Sequence, residues 1–209
     1  MTYSATLVRA VALAGATLLG AQAATAEPFN GPYIGAELGW QQDRLRATVN
    51  SGGIDFSATE NGSGLGYGGV LGWDFKLADS FVLGGEVSAT GDTGTIDLGN
   101  FEADAGRTLG IAARAGFLAT PQTLVYARGG WVNGRFSADD GFSREAQNRD
   151  GWTAGGGIEQ MLGENVSAKV EYRYSKFSSF RADRIDLGGT DLSGRFSRNQ
   201  VVAGVNYRF

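Results

Sequence analysis

Ten charged residues of this sequence share one property: each lies in a segment where apolar and polar residues alternate, on the polar side of that alternation. Alternate side chains of a strand point to opposite faces, so we expect all ten to share the interior of a β-structure. Five are acids and five are bases, and buried charges are tolerated when they are paired and hydrogen-bonded. The pattern therefore predicts an interior ion-pair network rather than a filter of one sign. Its predicted members are Glu37, Asp74, Glu86, Arg114, Arg128, Glu159, Lys169, Glu171, Arg173 and Arg208.

The sequence offers little for catalysis. Histidine and cysteine are both absent, which removes the commonest general base, the commonest metal ligand and any thiolate or disulfide chemistry. A serine needs a partner base to become a strong nucleophile, and no spacing supports a serine–lysine pair. We therefore predict that the protein is not an enzyme and has no catalytic residues, no metal site and no cofactor.

One motif resembles a nucleotide-binding loop. Residues 64–69 read Gly-Leu-Gly-Tyr-Gly-Gly and match G-x-G-x-x-G. In a dinucleotide-binding fold this motif opens a helix, whose amino terminus holds the phosphates. Here it opens an alternating strand segment, so the phosphate-binding geometry is missing.

Eight segments show the strand alternation that must position the charges. In each, one phase is apolar and the other is small or charged, which is typical of a strand with one lipid-facing side. Glycine is abundant, at 34 of 209 residues, and 16 of these glycines lie inside the segments. Their ranges are 33–40, 65–75, 81–90, 108–117, 124–133, 152–160, 166–175 and 200–209.

The connections alternate in length. Three are short, at 76–80, 118–123 and 162–165, and four are long and polar, at 41–64, 91–107, 134–151 and 176–199. Short turns on one side and long loops on the other are the pattern of an even-stranded membrane barrel. We predict an all-β fold: an eight-stranded antiparallel transmembrane up-and-down β-barrel with four long extracellular loops and three short periplasmic turns.

The last strand ends on an aromatic residue. Counting back from the carboxylate, every second residue is apolar, and the strand runs to the final residue of the sequence. An edge strand of a soluble sandwich is an alternative, but a terminal aromatic of a soluble chain more often frays into water. The pattern favours a lipid-facing strand that closes a barrel. The apolar positions are Val201, Ala203, Val205, Tyr207 and Phe209.

The aromatic residues support the same arrangement. If both termini lie on the short-turn side, the aromatics fall into two bands, as the two membrane interfaces favour. A soluble lipocalin-like barrel would instead turn its apolar residues inward. The band near the long loops is Trp40, Tyr67, Trp131, Trp152 and Tyr174, and the band near the short turns is Tyr33, Trp73, Phe75, Phe81, Phe117, Tyr207 and Phe209.

The first 26 residues have the features of an export signal. Arg9 precedes an apolar run at 10–20, and Ala24-Thr25-Ala26 is a small-x-small cleavage site. We predict a cleaved signal peptide at 1–26 and a barrel domain at 27–209. The formal charge of −4, with no basic cluster, argues against nucleic acid as a partner.

Seven pieces of the chain together resemble a known family, the small outer-membrane β-barrel domain family, whose members include porin-like and immunogenic surface proteins of Gram-negative bacteria. The resemblance covers nearly all of residues 31–209 and implies an eight-stranded barrel, location in the outer membrane, envelope integrity and surface exposure. The terminal strand is similar to the signal that the barrel-assembly machinery recognises. Unlike the two-domain OmpA type, the sequence shows no second domain beside the barrel, so we do not expect the protein to bind peptidoglycan. The seven pieces are 33–40, 81–86, 114–116, 126–130, 151–159, 170–174 and 204–209.

These features predict a monomeric barrel in the cell outer membrane, with a structural and surface-interaction role and a lumen plugged by salt bridges. Outer-membrane lipid and lipopolysaccharide are the predicted partners, together with the assembly machinery. A narrow porin is one alternative, and a soluble periplasmic β-barrel binder is another. The basic fourth loop is a candidate to touch lipopolysaccharide phosphates through Lys176, Arg181, Arg184, Arg195 and Arg198.

Overall fold

The computed structural model describes residues 27–51, 54–93, 95–97, 102–139, 144–178, 180–185 and 190–209. Within them the protein is one antiparallel sheet of ten strands. No helix in these ranges is long and apolar enough to cross a membrane. The strands are β1 (Gly31–Ser51), β2 (Ile54–Ala78), β3 (Phe81–Asp92), β4 (Thr95–Asp97), β5 (Glu102–Thr120), β6 (Thr123–Asp139), β7 (Arg144–Met161), β8 (Val166–Phe177), β9 (Phe180–Ile185) and β10 (Thr190–Arg208).

Eight of these strands close into a barrel. Their order is β1-β2-β3-β5-β6-β7-β8-β10, and β10 pairs again with β1 along nearly its whole length, from Tyr33–Arg208 to Ser51–Thr190. The short strands β4 and β9 pair only with β5 and β10 respectively. The prediction of an eight-stranded antiparallel up-and-down barrel is confirmed.

The barrel carries its apolar side chains on the outside. Ile111, Val170 and Val205 are 55%, 59% and 53% exposed, although each lies in the middle of a strand. Hydrocarbon is a suitable environment for such a surface, whereas water is not. A soluble barrel would have the reverse arrangement, so the alternative of a soluble periplasmic binder is contradicted.

The strands extend well beyond the alternating segments. β1 and β2 have 21 and 25 residues, and together they include most of the segment 41–64 that we expected to be a loop. The short turns at 79–80, 121–122 and 162–165 lie where the sequence predicts them. Beyond the hydrocarbon the outer face of a strand meets water rather than lipid, so the backbone ladder continues while the apolar alternation that marks it in the sequence disappears.

The two aromatic bands are present on the outer surface, with one exception. Trp40, Trp131 and Trp152 are about half exposed at the end where the long hairpins project. At the short-turn end Tyr33 is only 1% exposed and points inward, contrary to the prediction. It shares the face of Gly35 and Glu37, as its place in the alternation requires.

An apolar cluster fills the lumen at the short-turn end. The chain before β1 turns under the barrel and buries Phe29 completely, with φ of 59° at that residue. We call the buried apolar cluster the apolar floor; its members are Phe29, Val82, Leu118, Leu124, Tyr126 and Met161.

An ion pair ties the segment before β1 to the end of β2. Lys76 donates a hydrogen bond of 2.8 Å to Glu27, and this ammonium holds the pKa of the Glu27 carboxyl below its usual value.

Candidate functional site: the ionic lumen

All ten charged residues singled out in the sequence are buried inside the barrel, each 5% exposed or less. Their strands place them there because each occupies the phase opposite to the outward apolar residues. The structure divides them into two clusters, one above the other, that we call the lower and middle clusters. The lower cluster, nearer the apolar floor, contains four of the ten, and the middle cluster contains six.

The lower cluster is a ring of two acids and two bases. Arg114 binds both Asp74 and Glu159, and its Nη1 lies 2.8 Å from Glu159 Oε2. Arg208 binds the same two carboxylates, at 2.8 Å and 2.7 Å. Each charge therefore has two opposite neighbours, and the ring is neutral. Asn206 and Ser167 donate further hydrogen bonds to Glu159 Oε1, over 2.8 Å and 2.6 Å.

The middle cluster is a chain of alternating charges. Arg128 lies between Glu86 and Glu171, with N–O distances of 2.6 Å and 2.9 Å. Arg173 lies between Glu171 and Glu37, at 2.7 Å and 3.4 Å. Lys169 ends the chain, with Nζ 2.6 Å from Glu37 Oε1. Three acids and three bases make this cluster neutral as well.

Two tyrosines connect the clusters. The Tyr126 hydroxyl donates to Glu171 Oε2 over 2.8 Å, and the Tyr33 hydroxyl donates to Glu86 Oε2 over 3.1 Å. The Arg114 guanidinium lies over both rings, 4.7 Å from the centroid of Tyr33 and 5.2 Å from that of Tyr126. The tyrosines therefore satisfy middle-cluster acids with their hydroxyls and a lower-cluster base with their ring faces.

A third cluster, at the long-hairpin end, was missed by the sequence analysis. Arg198 binds Asp43 through Nε and Nη2, at 2.7 Å and 2.8 Å, and Asp92 through Nη1 at 3.2 Å. Gln200 donates to Gln41 just below, over 3.2 Å. We assigned Asp92 and Arg198 to loops because the alternation fades there. Residues two apart in a strand share a face, so Asp43 shares the inward face of Gln41 and Arg198 shares that of Gln200. Continuing this count toward the hairpin ends would have placed both charges inside.

Several ion pairs join the amino-terminal strands to the carboxy-terminal ones. Lys169 and Arg173 of β8 both bind Glu37 of β1 across β10. Arg208 of β10 binds Asp74 of β2 across β1, a sequence separation of 134 residues. The line where β1 meets β10 is therefore bridged by side chains as well as by the backbone ladder.

The other predicted residues lie as follows. Val201, Val205 and Tyr207 are about half exposed on the outer face, and Ala203 is also exposed there; Phe209 is partly covered at the end of β10. Ala24 and Ala26, with the rest of segment 1–26, lie outside the described residues. Within the described part of the chain there is no group of three or more acids that could hold a metal ion.

A family model described as "Outer membrane protein beta-barrel domain" matches residues 11–209. The 25 kDa outer-membrane immunogenic protein of Brucella canis is 28% identical over 181 residues, which are 87% of this chain and 78% of that protein. A 22 kDa outer membrane protein of Rhizobium leguminosarum bv. viciae is 27% identical, over 69% of this chain and 67% of its own length. The solved structure of OprG from Pseudomonas aeruginosa is 12% identical with a TM-score of 0.49, covering 87% of this chain and 97% of that one.

Proposed function

The chain belongs to the outer membrane protein beta-barrel domain family and resides in the cell outer membrane; from that premise we propose that it is a structural, surface-exposed barrel whose lumen is plugged by ion pairs. The observation that carries this proposal is the connected ionic network across the lumen. Its lower and middle clusters are each neutral and joined by Tyr33 and Tyr126.

The network supports a plug because its charges are already satisfied by one another. A solute that entered would have to replace contacts of 2.6 to 2.9 Å between desolvated opposite charges. Removing one partner of such a pair costs about 3–5 kcal/mol. An eight-stranded barrel is also just wide enough for side chains to fill it.

The voids between the clusters support the same proposal. A cavity of about 20 Å³ lies between the middle cluster and Arg198, lined by hydroxyls such as those of Ser88, Thr153 and Ser175. A second, of about 10 Å³, lies beside Glu37 and Gln200. A water molecule needs roughly 10–15 Å³ of such volume, so these voids suit single waters rather than a solute path.

Planar-bilayer recording of the purified protein tests the plug against the alternative of a narrow porin. We expect no steady openings for the natural sequence. Arg173→Ala, which removes the base between Glu171 and Glu37, should loosen the network and give noisy, transient currents. Lys176→Ala, which removes one exposed base from the outer face, is the matched control and should remain closed. Steady openings of defined size in the natural sequence would support the porin instead.

The Brucella canis relative is described as an immunogenic outer-membrane protein, and from this we infer that the hairpins of this chain are exposed at the cell surface. Protease treatment of intact cells should cleave within these hairpins and spare the barrel.

We further propose that the protein acts as a monomer and contacts outer-membrane lipid and lipopolysaccharide. We also propose that the barrel-assembly machinery inserts it and that it has no catalytic activity. The absence of histidine supports the last point.

A further inference from the structure

The outer face of the barrel carries a charged patch just above the aromatic band at the extracellular end. Trp40, Val201 and Tyr172 face outward, about half exposed. Continuing the alternation along β1, β10 and β8 places Arg44, Arg46, Arg195 and Lys176 on the same face. All four are exposed. We call these four residues the basic patch.

The strand register brings the patch together. Arg46 is directly opposite Arg195, and Arg44 is opposite Ser197, which is in turn opposite Lys176. Side chains directly opposite on antiparallel strands have Cβ atoms about 5 Å apart, and like charges in that position are destabilising. Ser197 thus has a base on either side, with two facing arginines one row further from the membrane.

Among the side chains that the structure describes on this face, no acid offsets the repulsion. Within the described residues none of the four bases forms an ion pair; Arg44 only donates a hydrogen bond to Asn61, over 3.3 Å. On the neighbouring strand β2, the outward side chains that the structure describes at this height are Thr59, Asn61 and Ser63, which are uncharged. Glu60 is exposed, but it pairs with Leu45 on the opposite, lumen side of the sheet.

The height of the patch indicates which anion would meet it. Arg44 is four residues beyond Trp40, or about 13 Å along a strand, which becomes about 10 Å above the aromatic band once the tilt of the strands is included. Long basic side chains extend toward the interface while keeping their charge in the polar zone. In the outer leaflet this zone holds the phosphates of lipopolysaccharide, at the base of its sugars.

We propose that the basic patch is a binding site for the phosphate groups of lipopolysaccharide, with the Arg46–Arg195 pair as its centre. Guanidinium groups bind phosphate oxygens through two parallel hydrogen bonds, which suits a facing pair of arginines. The site rests on the proposed function, because it assigns residues to the lipopolysaccharide contact inferred there. Of the five bases singled out in the fourth loop, Lys176 and Arg195 belong to the patch, whereas Arg198 points into the lumen and does not take part. The side chains of Arg181 and Arg184 lie outside the described part of the structure.

The test titrates the detergent-solubilised full barrel with lipid A carrying two phosphates, and with lipid A from which both are removed, counting bound lipid by native mass spectrometry. Arg46→Gln with Arg195→Gln should weaken binding of the phosphorylated lipid about tenfold and leave the phosphate-free lipid unchanged. The matched control is Arg107→Gln with Arg135→Gln. It removes another directly opposed exposed pair from the far side of the barrel, where Asp150 lies on the same face. That control should change binding less than twofold.

Two further arms identify the source of the anion. Inorganic phosphate at equal concentration should compete poorly, because it lacks the acyl chains that hold the lipid at this height. A sulfated polysaccharide should bind no more weakly to the double variant than to the natural sequence. Equal affinity of the double variant and the natural sequence for the phosphorylated lipid would overturn the site. The site would also be overturned if binding of the sulfated polysaccharide, and not of the lipid, depended on the two arginines.

Folding and the proposed plug are monitored separately. Heat-modifiable migration on a gel shows whether each variant has formed its barrel. Planar-bilayer recording of the double variant should stay closed, since both arginines lie outside the lumen. If the double variant bound the phosphorylated lipid as tightly as the natural sequence while the barrel stayed closed, only the proposed site would be disproved. Steady openings of the natural sequence would disprove only the proposed plug.

Discussion

Tyr33 and Glu86 are joined by a hydrogen bond over a strand that separates them. The Tyr33 hydroxyl donates to Glu86 Oε2 over 3.1 Å. Tyr33 of β1 is directly opposite Gly72 of β2, and Gly72 is directly opposite Glu86 of β3. The tyrosine ring lies where a side chain of residue 72 would stand, so the contact depends on a glycine at that position.

Gly72→Ala should therefore be strongly destabilising. The added methyl would overlap the Tyr33 ring and displace the hydroxyl from a buried carboxylate, for a combined cost of about 2–4 kcal/mol. Urea unfolding of the refolded protein in lipid vesicles measures this. Gly85→Ala is the control, because its methyl would face outward, 4.0 Å from the nearest atom, the carbonyl oxygen of Ala112. Equal losses in the two variants would contradict the assigned role of Gly72.

Glu159→Gln should cost about 3–5 kcal/mol of unfolding free energy, because Arg114 and Arg208 would then share the single carboxylate of Asp74. Adding Arg208→Gln restores neutrality and should recover part of the loss. A double-mutant cycle followed by thermal unfolding measures this coupling. Additive losses would mean that the lower ring does not act as a unit.

Phe29→Ala should remove the underside of the apolar floor and lower stability by about 3–5 kcal/mol, the usual range for a buried phenylalanine. Phe81→Ala, at a lipid-facing position, should cost less, because detergent or lipid replaces the ring. Thermal unfolding compares the two. The bilayer recording should still show a closed barrel in Phe29→Ala, since the ionic clusters above the floor are untouched; steady currents would assign the seal to Phe29 instead.

Phe209→Ala should reduce the amount of folded protein in the outer membrane severalfold, if the barrel-assembly machinery recognises the outward apolar residues of β10. Phe117→Ala, another outward phenylalanine at the same end of the barrel, is the control and should insert normally. Fractionation followed by heat-modifiable migration gives the folded amount. A similar fall in both variants would assign the effect to lost hydrophobicity rather than to a terminal signal.

Cleavage after Ala26 should leave a mature chain that starts at Glu27 and has 209 − 26 = 183 residues. Replacing Ala24 and Ala26 with leucine should block it, because the peptidase accepts small side chains there. Ala23→Leu, beside the same site, should be processed normally. Intact-mass measurement of the outer-membrane protein decides between the forms, and a natural start other than Glu27 would disprove the assignment.

The alternation of apolar and polar residues was sufficient to predict the barrel and the face of every charge within the hydrocarbon. Glu86, Arg114 and Glu171 each sit between outward apolar residues that fix the phase of their strand. The alternation could not be used above the aromatic band, because the outward residues there are no longer apolar. There Arg44 and Asp43 are both charged, although one faces water and the other the lumen, so composition alone does not separate them.

The apolar floor was missed for the opposite reason. Val82 and Leu124 face inward, yet a rule that sends apolar residues to lipid reads them as ambiguous. Phe29 packs with them, although it folds back beneath the barrel from outside the sheet. The partners within the ionic clusters were likewise unpredictable, because the stagger of the strands decides which charges meet.

The bridging of β1 to β10 by ion pairs has a consequence for how the barrel forms. Glu37 finds both of its cations on β8, and Asp74 finds one of its two on β10, so these acids are fully matched only after the last strand has docked. A sheet still open at that line would leave several charges unmatched beside hydrocarbon. Intermediates in which β1 and β10 are only partly paired are therefore disfavoured. Closure and opening of the barrel should each occur as a single concerted event.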